Sequence, residues 1–169
     1  VYNFIQPADL SSLDTYSIEV SLNLDGDQFL SNNLLTTEVK NSICAPSMIC
    51  STGDGIKLFS IADINNASDC EGYGDFTDQT ANLASGNTYP LTINTGYGDQ
   101  YVTVWIDFND DSNFSTDEKI VDNFLVAPGL AAGSYTEIID VTIPESLSPG
   151  NFKLRAKTNW KDPVPDDAC

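Results

Sequence analysis

Short apolar segments separated by strong turn signals recur along the chain, and this pattern limits the fold more than any other feature. Within the segments, apolar and polar residues alternate or β-branched residues dominate, which is typical of strands in antiparallel sheets. In Tyr101–Phe108, for example, Val102, Val104 and Ile106 share one face. Glycine, proline and Asp-Gly pairs lie between the segments. We predict strands at Tyr16–Leu24, Ile56–Ile64, Tyr89–Ile93, Tyr101–Phe108, Lys119–Val126, Thr136–Ile143 and Phe152–Thr158.

These strands predict an all-β chain, an antiparallel β-sandwich of about seven to nine short strands with jelly-roll or Ig-like connectivity. Only Ala8–Leu13 and Phe29–Leu35 have any helical character. The chain of 169 residues is long enough for one domain with a substantial core. We place a boundary near residue 42. Residues 1–42 are then an N-terminal extension, a linker or a strand segment of a preceding module, and residues 43–169 are the β-sandwich.

The charge and the residue types exclude several classes of function. Seven Lys and Arg against 25 Asp and Glu give a net charge of −18, which repels nucleic acids and anionic membranes. No segment is apolar enough for membrane insertion. The absence of histidine excludes Ser-His-Asp and Cys-His catalysis. A carboxylate pair remains possible as a catalytic centre, but we expect a protein without catalytic activity.

One acidic loop has the oxygen spacing of a calcium site. Counting from Asp107, positions 1, 3, 5, 7, 9 and 12 are the ligand positions of an EF-hand loop. They hold Asp107, Asn109, Asp111, Asn113, Ser115 and Glu118, all with oxygen-bearing side chains. Five carboxylates within twelve residues repel one another unless a cation binds. We therefore predict a Ca²⁺ loop between two strands.

Two features separate this loop from an EF-hand. Ser112 stands at the sixth position, where the EF-hand has glycine, and the flanking segments are strands rather than helices. These features favour a calcium loop between β-strands over an EF-hand pair. The alternative to a metal site is a solvated acidic turn in which Asp and Asn side chains accept hydrogen bonds from the local backbone.

An ordered set of motifs resembles the GEVED domain, a β-rich module of secreted and cell-surface bacterial proteins. The resemblance extends over residues 43–169 and rests on short motifs that follow one another in the family order. They are Cys44-Ala45-Pro46, Gly55-Ile56, Ile61 with Asn65–Ser68, Tyr73-Gly74-Asp75-Phe76-Thr77, Gly86–Tyr89, Val104–Asn109, Pro144 and Gly150–Arg155.

The resemblance implies an extracellular accessory module with a cation site in the loop that follows Val104-Trp105-Ile106. Asp75 is then either a further ligand of the cation or a turn residue. The Gly-Glu-Val-Glu-Asp-Tyr strand that follows the last cysteine in the family is absent, because the chain stops at Cys169. We expect that closing strand to lie beyond this chain or to come from another one.

The four cysteines favour disulfides in an oxidising compartment, since they are even in number and lack the spacing of a zinc site. Their pairing is open on the sequence alone. The family resemblance implies Cys44–Cys169 and Cys50–Cys70.

Aromatic residues near turns are the candidates for binding a ligand. Trp160 lies in a polar segment, and Tyr97 and Tyr101 flank a glycine-rich turn. A sugar ring needs such a flat aromatic face. Our prediction is a non-catalytic, secreted or cell-surface module that binds Ca²⁺ and a polysaccharide or surface glycan, beside other domains of its parent chain. The alternative is a structural repeat or subunit of a surface adhesin or filament, in contact with neighbouring subunits.

Overall fold

The computed structural model describes residues 8–10, 14–41, 46, 48–50, 52–69, 71–145, 147–166 and 168. Within these residues the regular elements are nine β-strands and two 3₁₀ turns, and all strand pairs are antiparallel. The chain divides into two compact units, Val1–Cys44 and Ala45–Cys169. In the described part of the chain, no helix has the length and apolar character needed to cross a membrane.

The first unit contains an amphipathic hairpin. Strand β1 (Asp14–Ser21) pairs with β2 (Leu34–Asn41), and a 3₁₀ turn at Leu30–Asn32 precedes β2. The register places Tyr16 opposite Val39 and Val20 opposite Leu35. Because directly paired residues share a face, these four apolar side chains lie on the same side of the hairpin. The expected helical character of Phe29–Leu35 amounts to the single 3₁₀ turn, and the Ala8–Leu13 prediction extends beyond the described residues.

The second unit contains two antiparallel sheets. The four-stranded sheet has the order β4-β3-β5-β8 and the three-stranded sheet the order β7-β6-β9. Their strands are β3 (Ile56–Ile61), β4 (Ile64–Ala67), β5 (Thr88–Tyr97), β6 (Gln100–Ile106), β7 (Lys119–Val126), β8 (Ala132–Thr142) and β9 (Leu154–Trp160). Strands β5 and β6 follow one another closely in sequence but belong to different sheets. Gly98 turns the chain between them, where an added Cβ would lie 2.4 Å from the carbonyl oxygen of Leu130.

The two sheets of the second unit share one hydrophobic core. The four-stranded sheet contributes residues such as Ile61, Leu91 and Ile93, and the three-stranded sheet contributes Val102 and Val104. Burial of the inner faces of two sheets is the arrangement of a β-sandwich. All seven predicted strands overlap observed ones, so the all-β, antiparallel prediction is confirmed. Strands β2 and β4 were not predicted.

One cysteine lies among the described residues. Cys50 is buried and disulfide-bonded. Cys44, Cys70 and Cys169 lie outside the described residues, so the pairings Cys44–Cys169 and Cys50–Cys70 stay predictions.

Candidate functional site

The acidic loop, residues 107–118, connects β6 to β7 in the three-stranded sheet. Asp107 comes directly after the buried end of β6, and its own N–H donates to the carbonyl of Lys153 at 2.9 Å. Glu118 ends the loop in a 3₁₀ turn, Thr116–Glu118, immediately before β7. The two carboxylates at the ends of the loop are buried, with exposed fractions of 0% for Asp107 and 3% for Glu118.

The first half of the loop winds around the Asp107 carboxylate. Its two oxygens accept the N–H groups of Asp111 at 3.1 Å and Ser112 at 3.0 Å. The side-chain oxygen of Asn109 accepts the same Asp111 N–H, and Asp111 in turn accepts the N–H of Asn113 at 2.8 Å. The tight winding forces Ser112 into a left-handed conformation with a φ of +64°. Position 6 of this loop therefore adopts the conformation that favours glycine, although it holds a serine.

The Glu118 carboxylate closes the loop by binding both of its ends. Oε1 accepts the N–H of Phe108 at 2.9 Å and, more weakly, that of Asn109 at 3.4 Å. Oε2 accepts the N–H and the hydroxyl of Ser115, at 2.9 and 2.8 Å. The acidic residue at position 12 thus brings the beginning and the end of the loop together.

Negative charge in this loop has little compensation from side chains. Lys153 Nζ lies 3.6 Å from Asp110 and 3.4 Å from the Ser112 hydroxyl. No basic side chain of the described residues forms an ion pair with Asp107 or Glu118. The Ser115 hydroxyl, which donates to Asp117 at 2.7 Å, and a backbone N–H lower the pKa of that exposed carboxyl. These two hydrogen bonds therefore favour the charged form of Asp117.

The structure places Asp75 apart from these hydrogen bonds. Among the described residues its carboxylate accepts the N–H and the hydroxyl of Thr77, within its own turn, and no group of the acidic loop. These two bonds lower the pKa of Asp75, the backbone N–H having the larger effect. This geometry is that of a turn residue, and the role of Asp75 as a metal ligand stays a prediction.

Phe114, at the centre of the acidic loop, anchors the loop to β9. Its ring is buried, and the guanidinium carbon of Arg155 lies 4.6 Å from the ring centroid. The same guanidinium lies 6.0 Å from the ring centroid of Tyr73 and donates to the carbonyl of Ala168 at 3.3 Å. Arg155 pairs with Trp105 on β6. Since adjacent residues of a strand point to opposite faces, both lie on the face opposite the Val104 side chain.

The C-terminal segment, residues 161–166 and 168, packs against strands of the same three-stranded sheet. Val164 exchanges hydrogen bonds with Asn123 on β7, and Asn159 on β9 donates to the carbonyl of Pro163. Lys119 is bound by Asp166 at 2.7 Å and by Asp122 at 2.8 Å. Burial lowers the pKa of Lys119, but the hydrogen bonds and charges of the two aspartates outweigh it, so the pKa is raised.

Two of the three predicted ligand-binding aromatics meet at the end of the sheets. Trp160, at the end of β9, is 46% exposed. The rings of Trp160 and Tyr97 make an edge-to-face contact with centroids 6.2 Å apart, and the Lys161 ammonium lies 4.4 Å from the Trp160 ring. Tyr101 is half-buried and pairs with Asn159. It therefore lies on the opposite face of the sheet from Trp160.

Several residues that shape these sites have no distinctive sequence pattern. Gln100 is fully buried on β6, and neither atom of its amide has a hydrogen-bond partner among the described residues. Asn123 and Phe114 act through contacts with segments distant in sequence. An isolated asparagine or phenylalanine does not reveal such contacts, because they depend on how the strands are arranged.

The described residues contain no group of three or more His, Cys, Asp or Glu side chains placed together to hold a metal ion. The acidic loop instead combines carboxylates with side-chain amides and hydroxyls. Two antiparallel sheets around one core, with this loop between β6 and β7, define an all-β module of the sandwich type.

Within this class, residues 101–169 match the family model of the GEVED domain. The match confirms, for these residues, the resemblance to that family predicted from the sequence. The matched residues comprise β6 to β9, the acidic loop, Trp160 and the C-terminal segment. No curated protein and no solved structure matches the chain significantly.

Proposed function

We propose that this protein is a non-catalytic extracellular module whose acidic loop binds Ca²⁺. The observation that carries the proposal is the burial of Asp107 and Glu118 without a basic partner among the described residues. Buried carboxylates are costly unless opposite charge or several hydrogen bonds compensate them. The hydrogen bonds that Asp107 and Glu118 accept come from backbone N–H groups and one hydroxyl, all of them uncharged. A bound cation would supply the opposite charge that these groups lack.

The donor set fits a hard cation. Calcium takes six to eight oxygen ligands from carboxylates, amides, carbonyls and water. Asp107, Asp111 and Glu118 would supply carboxylates, while Asn109, Asn113 and Ser115 would supply neutral oxygens. Since no three His, Cys, Asp or Glu side chains of the described residues lie together as a metal-binding group, the proposed site depends on the neutral oxygens as well. Bound calcium would offset two of the five negative charges of the loop and would fix its two ends.

Isothermal titration with CaCl₂ tests the cation site. Asp111→Asn should abolish binding, because it removes a charge while keeping an acceptor for the Asn113 N–H. Asp140→Asn, an exposed aspartate on β8, is the matched control and should bind like the wild type. Absence of heat with the wild-type protein, or equal binding by Asp111→Asn, would reject the site.

We further propose that the module is secreted or displayed on the cell surface and binds a polysaccharide or surface glycan through Trp160 and Tyr97. The exposed Trp160 ring supports this proposal, since an indole face can stack on the apolar side of a sugar. The module would be a β-sandwich with two disulfides, and as part of a larger protein it would direct that protein to the glycan. The absence of histidine in the whole chain agrees with a non-catalytic role.

Retention on insoluble and acidic polysaccharides tests the glycan site. Trp160→Ala should abolish retention, whereas Phe76→Ala, which removes another exposed aromatic ring, should not. If the wild-type protein is not retained but assembles linearly with concentration in sedimentation experiments, the role is that of a structural repeat in an adhesin or filament.

A further inference from the structure

Arg155 is the only arginine of the chain, and it contacts both the acidic loop and the C-terminal segment. Its side chain is buried, with 8% exposed. The guanidinium stacks on Phe114 of the loop and donates to the carbonyl of Ala168. One side chain therefore joins two segments that are far apart in sequence.

The chemistry of arginine suits this double contact. A planar guanidinium can lie over an aromatic face while its N–H groups donate sideways in the same plane. Phe114 stands between Asn113 and Ser115, two of the proposed calcium ligands. A change in the loop that moves these ligands therefore moves the ring on which Arg155 stacks.

We infer that cation binding in the acidic loop and docking of the C-terminal segment are coupled through Phe114 and Arg155, with Arg155 as a positioning residue. This inference rests on the proposed calcium site. Calcium restrains the loop, the restrained Phe114 ring holds the guanidinium, and the guanidinium holds Ala168. Coupling is reciprocal: the factor by which calcium strengthens docking of the C-terminal segment is also the factor by which docking strengthens calcium binding. Loss of docking therefore lowers calcium affinity.

Hydrogen exchange of the wild-type protein is the primary test, because it needs no variant. In 10 mM CaCl₂, compared with EGTA, the amides of Ala168 and Val164 should exchange about 5- to 150-fold more slowly. The Ile143 amide, which donates to Asn87 in another part of the unit, is the internal control and should change less than twofold. If calcium binds but the two C-terminal amides do not change relative to Ile143, the coupling is rejected while the calcium site stands. If no calcium binds, both proposals fail.

Variants separate coupling from general support of the fold. Phe114→Leu keeps an apolar side chain but removes the aromatic face. Arg155→Gln removes the charge, whereas Arg155→Lys keeps the charge but lacks the planar guanidinium. Calcium affinity should fall about fivefold or more in Phe114→Leu and Arg155→Gln, and recover in part in Arg155→Lys. Affinity within twofold of wild type in folded Phe114→Leu would overturn the inference.

A matched pair of aspartates tests the reciprocal direction. Asp166→Asn removes the ion pair between the C-terminal segment and Lys119, without touching the loop or Arg155. Asp122→Asn removes the other partner of the same lysine; Asp122 also accepts a hydrogen bond from Asn123 on its own strand, but among the described residues it makes no direct hydrogen bond to the segment. Asp166→Asn should lower calcium affinity about two- to fivefold, as expected for loss of an ion pair whose aspartate is exposed, and Asp122→Asn should not. Equal affinities of the two variants would overturn the coupling.

Discussion

Calcium should stabilise the second unit against heat by an amount that follows from binding linkage. A ligand that binds only the folded protein stabilises it by RT ln(1 + [L]/Kd). Extracellular calcium modules have dissociation constants of about 10⁻⁴ to 10⁻³ M. In 10 mM CaCl₂ the gain is then about 1.4–2.7 kcal/mol. For a domain of this size, about 3–5 °C of melting temperature corresponds to each kcal/mol, so Tm should rise by about 4–14 °C.

The measurement is a thermal unfolding scan of protein that has been treated with EGTA and then given CaCl₂ or MgCl₂. Magnesium should raise Tm by less than half as much, because it prefers a small octahedral site and retains its water. Asp111→Asn should lose the calcium-dependent part of the shift, and Asp140→Asn should keep it. Equal shifts with both metals, or an undiminished shift in Asp111→Asn, would refute the assignment of Ca²⁺ to residues 107–118.

Three further perturbations test the geometry around the site. Gln100→Met removes a buried amide that lacks a partner among the described residues and should raise the free energy of unfolding by about 1–2 kcal/mol; a less stable variant in urea denaturation would contradict this. Ser112→Gly relieves a left-handed backbone and should raise the free energy of unfolding by about 0.5–1 kcal/mol in the same assay. A lower free energy of unfolding would show that the contacts of the serine side chain stabilise the protein more than its backbone conformation destabilises it. The raised pKa of Lys119 means that its stabilising effect is complete below the ordinary pKa of 10.5 and is lost as pH rises through the raised value. The stability difference between wild type and Lys119→Met should therefore be constant from pH 7 to 9 and shrink above 10.5; a constant difference at higher pH would exclude the ion pairs as its source.

The alternation of side chains was sufficient to predict six of the seven strands of the second unit. In Tyr101–Phe108 the period of two assigned Val102 and Val104 to the core, and the structure confirms this. Prediction failed for β2, where Leu34 and Leu35 adjoin a segment of helical character, and for the short β4, Ile64–Ala67. Four residues with two asparagines carry too little periodicity to identify a strand. Pairing with β3 through tertiary contacts stabilises it.

The spacing of the oxygen-bearing side chains in the acidic loop could also be predicted from the sequence, because these residues are close together in the chain. The sequence alone does not show that Asp107 and Glu118 are buried, nor that Glu118 binds both ends of the loop. Burial depends on what covers a residue, and here the loop is anchored through Phe114. The stacking partner, Arg155, lies on a strand 41 positions further along the chain.

Local patterns thus determined the strand periodicity, the oxygen spacing of the acidic loop, the net charge and the resemblance of residues 101–169 to the GEVED domain. Tertiary structure decided which aromatics meet, since Trp160 contacts Tyr97 while Tyr101 lies on the other face. It also decided which segments contact the buried guanidinium of Arg155, since this group joins Phe114 to Ala168. The physical reason is that periodicity and charge are carried by neighbouring residues, whereas burial and stacking arise only when distant strands pack together.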